Sequence, residues 1–489
     1  MRLCNATLPQ LKSIIVRPAY DRSKVTPGIV HLGTGAFHRA HQAVYIDDCL
    51  ARGETNWGII GSSLRSPDTR DALEPQDGLY TLAIRDSDRE ELRVIGAISG
   101  VTVAPEDPEV LLARLSDPAI RIVTLTITEK GYAVDLGTGG LRQENADIAH
   151  DLANPASPRS ALGFLAEAIE RRRRAGIRPF TLLSCDNLPQ NGRTLQRVLT
   201  EYAALRDKDL AAYITGEIAF PSSMVDRIVP STTDADRAST DAALGLADAW
   251  PVLGEPFTQW VIEDRFVSGR PRLEESGVEF AGDVEPFEHM KLRLLNGTHS
   301  TIAAVGRLSG YELVSQAIGD PLIRGLIERY WQCVIPTLAI PADKAFDYTR
   351  KLLARYENTS LHHRTAQIAS DASQKLPQRI LSPIRDCLAK GLSCDPQIFA
   401  VAAWIRSSGG IDDKGGPLPL NDPTFQAWTS QPDQRATPPD AVVDAFLGLS
   451  AVFGEELPRN RGFTAKLKQA YRAIASEGVL NAIRSGSLA

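Results

Sequence analysis

The sequence predicts an α/β fold in its first part and a mostly α-helical domain after it, with a boundary near residue 286. Three observations carry this. Before the boundary, short β-branched runs alternate with helical patterns, the signature of strand–helix units on a parallel sheet. Several of those runs end in polar clusters, where an open α/β sheet binds ligands. Beyond the boundary the apolar periodicity is helical and strand candidates are lacking. A length of 489 residues leaves room for two or three domains and a sizeable core.

Taken in order, Gly28-Ile-Val-His-Leu-Gly33-Thr-Gly35-Ala-Phe37-His38-Arg-Ala-His41 opens as a strand and breaks at two glycines. It then runs into a helix through about residue 51. Strand, G-x-G turn and helix open a Rossmann-like dinucleotide-binding domain, assigned to 1–285, because the glycines let the backbone approach a pyrophosphate. His38 stands where the third glycine of that fingerprint falls, so a tight turn without a ligand is the competing reading. His38 and His41 have a spacing metal ligands can use, but no third ligand is evident, and no metal is expected. A second strand over 57–64 leads to Arg65-Ser-Pro-Asp68. An acidic residue past the second strand suits the ribose 2′-hydroxyl of NAD, while Arg65 keeps NADP open.

The segments 80–84 and 92–95 alternate like paired strands, and 109–115 reads as helix. The densest β-branched run, 120–128, predicts a buried parallel strand ending in Glu129-Lys-Gly-Tyr132. A helix over 160–175 and a strand over 179–184 lead into Cys185-Asp186-Asn187, where Asp186 or Asn187 either caps the next helix or serves a ligand. The extended stretch 220–230 carries Asp226-Arg227, which reads as a buried ion pair. Strand and turn follow over 256–284, and Pro286 introduces a helix.

That helix, in a domain assigned to 286–489, carries Glu288-His-Met-Lys291-Leu-Arg-Leu-Leu-Asn296-Gly-Thr-His299. At about 100° per residue, Glu288, Lys291, Asn296 and His299 share an arc of roughly 140°. A lysine and an asparagine facing one small volume suit proton transfer from a hydroxyl whose oxygen must be held; an amphipathic helix with a solvated side is the plainer reading. Further helices are expected over 302–311, 322–335, 346–356, 383–390, 399–405, 441–453 and 463–483.

Hydrophobic content of 43%, charged content of 23% and a formal net charge of −6 are those of an ordinary globular protein and call for no polyanionic partner. The one basic run, Arg171 to Arg174, is expected to end a solvent-facing helix. Six scattered cysteines without C-x-x-C fit reduced thiols. Lacking a signal-peptide pattern and any bilayer-length apolar run, the chain is expected to be cytoplasmic, off the membrane, and free of nucleic acid.

Five motifs in this order resemble those of the mannitol dehydrogenase family, the polyol-specific long-chain dehydrogenases that include fructuronate reductase. They are Gly33-Thr-Gly-Ala-Phe-His-Arg-Ala-His41, Thr126-Ile-Thr-Glu-Lys-Gly-Tyr132, Ser184-Cys-Asp-Asn-Leu-Pro-Gln-Asn-Gly192, Met224-Val-Asp-Arg-Ile-Val-Pro230 and Lys291-Leu-Arg-Leu-Leu-Asn-Gly-Thr-His299. The resemblance spans nearly the whole chain. It implies metal-independent hydride transfer between NAD and a secondary alcohol of an open-chain sugar alcohol or sugar acid, NADP being the lesser choice. Under it Lys291 is the general base, Asn187 and Asn296 hold the alkoxide, Glu288 relays the proton, and His299 and Asp226 lie on the substrate side. Gly33, Gly35, Phe37, His38, Asp68 and Glu129 fall on the cofactor, and Gly297 permits close approach of substrate or cofactor. Lys375 matches a substrate-binding lysine, but Gln367 stands where mannitol dehydrogenase has arginine. Lys375 and Arg379 are candidate ligands of a substrate carboxylate, so mannitol and mannonate compete as substrates. A monomer or small homo-oligomer is expected. The reading of another class is a non-catalytic NAD-binding redox sensor, which has no use for a base.

Overall fold

A run of apolar residues forms a strand with no polar side only where both faces of its sheet are covered. The computed structural model describes residues 1–135, 138–422, 424–425, 428 and 431–486, and the chain falls into two compact units, Met1–Glu285 and Pro286–Ala489. In the first, the strands are β1 Pro27–Leu32, β2 Gly58–Ser63, β3 Tyr80–Arg85, β4 Glu90–Ile95, β5 Ile98–Val103, β6 Ile122–Leu125, β7 Thr181–Ser184, β8 Ser223–Asp226, β9 Val252–Gly254, β10 Gln259–Glu263 and β11 Glu279–Ala281.

Five of them form one parallel sheet in the order β5-β2-β1-β6-β7. The chain steps outward from β1 through β2 to β5, then returns to the other side of β1 with β6. This places the topological switch point between β1 and β6. Their register, Ile29 opposite Ile122 through Leu32 opposite Leu125, opens the two following loops side by side. Alternation sends Val30, Leu32, Val123 and Leu125 into one core, with Leu111 and Leu112 of the helix Pro108–Ser116 and Phe164 of the helix Ala161–Arg174. Ile29, Ile59, Ile122 and Leu183 enter the opposite core with Tyr45, Trp57 and Trp260. Two smaller sheets complete the unit: β4-β3-β9, whose β3–β4 pair is the expected antiparallel hairpin, and β11-β10-β8.

His31 follows the alternation onto the same face as Ile29 and is fully buried. Its polar atoms must therefore be met within the protein. Nδ1 lies 2.7 Å from Thr124 Oγ1, and Nε2 lies 3.1 Å from Gly33 O and 2.9 Å from Thr126 Oγ1. Burial pushes its pKa down to about 3.

Several expected elements differ in extent. The first helix breaks at His41 into Ala36–Ala40 and Gln42–Ala51. The strand expected over 120–128 is only β6, because Thr128 takes a left-handed φ of 62° and starts a short helix, Thr128–Gly131. The basic run is not a solvent-facing cluster: Arg172 turns inward onto the carbonyls of Leu115, Asp117, Ile120 and Arg178. Its neighbours pair with Glu109, Glu167 and Glu170.

The second unit is helical. Its centre is the helix Gly297–Ser309, of whose 13 residues all but Ser300 are buried. Around it run the helices Pro321–Val334, Ala342–Glu357, Thr365–Ala369 and Asp395–Ser407. The helix expected over 463–483 breaks at Gly478, whose φ of 79° ends Arg461–Glu477 before Val479–Arg484. That over 441–453 ends at Leu447. Gly297 has a packing role in place of the ligand approach expected of it: a Cβ there would run into Tyr330 Oη and lie 2.9 Å from Arg379 O.

Two outcomes follow. Gly297→Ala gains at most about 1 kcal/mol of helix propensity but meets overpacking of about 1–3 kcal/mol. A net fall in denaturant midpoint is expected, and an unchanged or raised midpoint contradicts the packing role. For pH, the unfolded His31 takes up a proton near 6.5 and the folded one near 3. Its contribution is thus present above pH 6.5 and lost as pH falls toward 3. The melting temperature should drop more steeply from pH 7 to 4 in the native protein than in His31→Asn; equal slopes would exclude His31 as a source.

Candidate active site

In the first unit the carboxyl ends of β1, β2, β6 and β7 carry the exposed candidates. Gly33 has φ of 93°, and a Cβ on it would strike the Thr126 carbonyl, so this turn admits glycine alone. On Gly35, which is exposed, a Cβ would meet nothing nearer than Gly33 O at 3.8 Å. The turn is pinned from behind: Gly33 O accepts from Thr126 Oγ1 at 2.8 Å as well as from His31 Nε2. A carbonyl can only accept, so His31 carries its proton on Nε2, leaving Nδ1 to accept from Thr124. Phe37 is half-buried, with its ring stacked on His41 at 5.1 Å. Asp68 is exposed and opens the helix Asp68–Leu73, its Oδ2 accepting from Ser66 Oγ at 3.0 Å. Glu129 is exposed on the helix after β6, and Asn187 is exposed just past β7.

An open glycine turn at the switch point and a carboxylate past the second strand fit a dinucleotide's pyrophosphate and ribose. His38 does not join them. It has no exposed surface and stacks on His31 with ring centroids 3.4 Å apart. The turn of the chain points its side chain into the core under β1, so it supports the turn from within. His41, three residues on, bonds its Nε2 to Gln259 O at 2.9 Å. Among the described residues no group of three or more His, Cys, Asp or Glu is placed to hold a metal ion.

Asp186 does not cap the following helix, which begins at Asn191. Its carboxylate accepts from the backbone of Ile127 (2.9 Å) and Thr128 (3.0 Å) and from Tyr132 Oη (2.7 Å), fixing the left-handed Thr128 and with it Glu129. Desolvation raises its pKa. Sequence reasoning weighed this residue only as a cap or a ligand, because a bond across to another strand's loop leaves no local pattern. Asp226 closes β8 and is almost wholly buried, at 2% exposure. The expected ion pair with Arg227 does not form: that guanidinium bonds the carbonyls of Glu255 and Ala40.

In the second unit the expected acid–base stretch is no regular α-helix. Lys291–Asn296 is a π-helix, and the Gly297 N–H bonds back to Leu292 O, five residues earlier. On an α-helix residues five apart stand about 140° apart around the axis. The wider π turn narrows that angle and turns Lys291 and Asn296 toward one face. Both are half-buried, as is Glu288. His299 lies on the next turn, buried, with ring centroids 4.8 Å from Tyr356 and 4.9 Å from His363. Its Nε2 has no hydrogen-bond partner among the described residues. Burial, with His363, Arg355 and Arg379 adding to it, drives its pKa well down, and burial takes His363 to about 4. Both imidazoles are neutral at pH 7.

Lys375 is half-buried and turns its Nζ to Ser370 O and Ile368 O. Arg379 donates to Ser300 Oγ at 3.2 Å and meets no carboxylate among the described residues. Burial lowers its pKa to about 10.

Comparison with known proteins covers both units. The mannitol dehydrogenase Rossmann domain model matches residues 27–275, and the mannitol dehydrogenase C-terminal domain model matches 283–475. The chain is 40% identical to D-mannonate oxidoreductase of Escherichia coli strain K12, over 95% of this chain and 96% of that one. Its structure matches Pseudomonas fluorescens mannitol 2-dehydrogenase, solved as a ternary complex with NAD and D-mannitol, with a TM-score of 0.86, 38% identity and 99% of both chains covered. It also matches a substrate-free D-sorbitol dehydrogenase with a TM-score of 0.92 and 35% identity, over 99% of this chain and 100% of that one. Matched in both units and along nearly its full length, the chain belongs to the mannitol dehydrogenase family, oxidoreductases of polyols and sugar acids.

Proposed function

We propose that this protein is an NAD-dependent oxidoreductase that interconverts a secondary alcohol and a ketone in an open-chain sugar alcohol or sugar acid, of the D-mannitol to D-fructose type, with Lys291 as general base. The observation that carries it is the π turn, which sets Lys291 and Asn296 on one face of a largely buried helix, one turn from the neutral His299. In this reading the neutral amine of Lys291 takes the substrate hydroxyl proton. The Asn296 amide donates to the oxygen as it gains charge, a pre-organised site that costs no reorganisation. The family resemblance gives Asn187 the same task. Glu288, three residues before Lys291, passes the proton onward, and His299 orients a substrate hydroxyl. Asp226, being buried, serves the substrate side by fixing its surroundings. NAD, when bound, would supply the hydride acceptor. Gly33, Gly35 and Phe37 would hold it, with Glu129 beside them, and Asp68 would take the ribose 2′-hydroxyl and repel a 2′-phosphate, favouring NAD over NADP. No metal is required, since the lysine performs the deprotonation.

Arg379 favours the sugar acid within that class, the D-mannonate to D-fructuronate type. A half-buried guanidinium without a counter-charge is costly, and a substrate carboxylate would meet it with charge-assisted hydrogen bonds. The similarity to D-mannonate oxidoreductase agrees.

Lys291→Ala should lower turnover by about 10² to 10⁴-fold, the scale of a general base, with NADH binding retained. Turnover that survives would remove Lys291 from the mechanism, and a native protein that binds NADH but turns over no polyol or sugar acid would reopen the sensor reading. Nicotinamide reduction run with D-mannitol and D-mannonate side by side should show the higher kcat/KM for mannonate. Arg379→Ala should cost mannonate at least about tenfold, the scale of one charge-assisted hydrogen bond, and mannitol little. An equal loss on both substrates would leave Arg379 without a carboxylate role.

A further inference from the structure

A π turn does not persist unless the carbonyls at its end find donors, because the widened ladder no longer supplies them in the regular α-helical order. Here the carbonyls of Leu294 and Leu295, two consecutive residues of the Lys291–Asn296 segment, take side-chain donors from three elements. Thr298 Oγ1, on the next turn, donates to Leu294 O and lies 3.2 Å from Leu295 O. Trp331 Nε1, on the helix Pro321–Val334, donates to Leu294 O at 3.2 Å. Tyr356 Oη, on the helix Ala342–Glu357, donates to Leu295 O at 3.1 Å and lies 2.7 Å from Thr298 Oγ1. All three side chains are buried, at 5% exposure or less. An indole N–H has no acceptor role and must donate somewhere when buried. That Trp331 spends it on a helix carbonyl ties the helix's register to a neighbour.

We propose that Thr298, Trp331 and Tyr356 are positioning residues that clamp the π turn and so hold Lys291 and Asn296 on one face. The proposal rests on the reading of Lys291 as the base. If the clamp is released, Leu294 and Leu295 can return to α-helical bonding. Lys291 then rotates away from Asn296 toward the 140° of a regular helix, while the substrate contacts of Arg379 and Lys375, on a separate segment, stay in place. The loss therefore falls on kcat more than on KM.

The test compares Thr298→Val, which keeps the β-branched shape without the hydroxyl, with Thr298→Ser, which keeps the hydroxyl. Trp331→Phe is the second probe, and Tyr471→Phe is a control, since Tyr471 is a buried tyrosine bonded to Gln434, away from the turn. Thr298→Val and Trp331→Phe should each lower kcat at least about tenfold, with substrate KM and NADH Kd within threefold of native. Thr298→Ser should recover most of the turnover, and Tyr471→Phe should lower Tm while leaving kcat unchanged. The clamp is refuted if Thr298→Val and Trp331→Phe lose only Tm, or if Thr298→Ser is as slow as Thr298→Val. Lys291→Ala, assayed alongside, separates the two levels. Collapse of its turnover with an intact Thr298→Val refutes the clamp alone, and a fully active Lys291→Ala overturns both.

Discussion

The structure depends most on how a helix is kept from being regular. Backbone amides and carbonyls are obligatory hydrogen-bonding groups, and the α register satisfies them at least cost. The Lys291–Asn296 segment gives up that register. What it gains is a geometry in which residues five apart share a face, and the residues so aligned are a lysine and an asparagine. The compensation comes from side chains outside the segment, Trp331 and Tyr356, together with Thr298. A Gly297 that lets Tyr330 and the Arg379 backbone press close completes the packing.

The same economy governs the first unit. Where β1 ends, a positive-φ glycine turn needs its carbonyl fixed. The fixing atoms come from just past β6 and from inside β1 itself, Thr126 and His31, with the His38 ring stacked beneath His31. A second left-handed residue, Thr128, is fixed by Asp186 from beyond β7. Both irregular turns sit at the carboxyl edge of the parallel sheet, and both are held by side chains from a neighbouring strand or loop.

How much of this could be read from the sequence divides along one line. Elements specified by local pattern were legible: the strand and glycine turn at Gly33, the hairpin over β3 and β4, the helix Ala161–Arg174, and the helical character after Pro286. Features set by distant partners were not. The 100° arithmetic placed Lys291 and Asn296 at opposite ends of their arc, since nothing in Lys291-Leu-Arg-Leu-Leu-Asn296 announces a π turn; its cause lies at Trp331 and Tyr356, more than thirty residues away. Likewise His38 stood where a fingerprint glycine would face a ligand, and only the stack on His31 reveals a core side chain. The β-branched run over 120–128 overstated its strand because Asp186, not propensity, decides the conformation of Thr128.

Arginines make the point most sharply, because their sequence context is mute about burial. Arg172 and Arg227 are buried cations, and each resolves the cost by donating to several backbone carbonyls. They are structural clips, and the loss of a ligand would not touch them. Arg379 is built differently. Its guanidinium reaches one serine hydroxyl, burial lowers its pKa, and no carboxylate of the described chain answers it. A protein that needed only packing at this position would be more stable with an apolar side chain there. A cation kept under-bonded near the neutral His299 is better explained by a partner that arrives from outside with negative charge, and the sugar acid is the member of the substrate class that brings one.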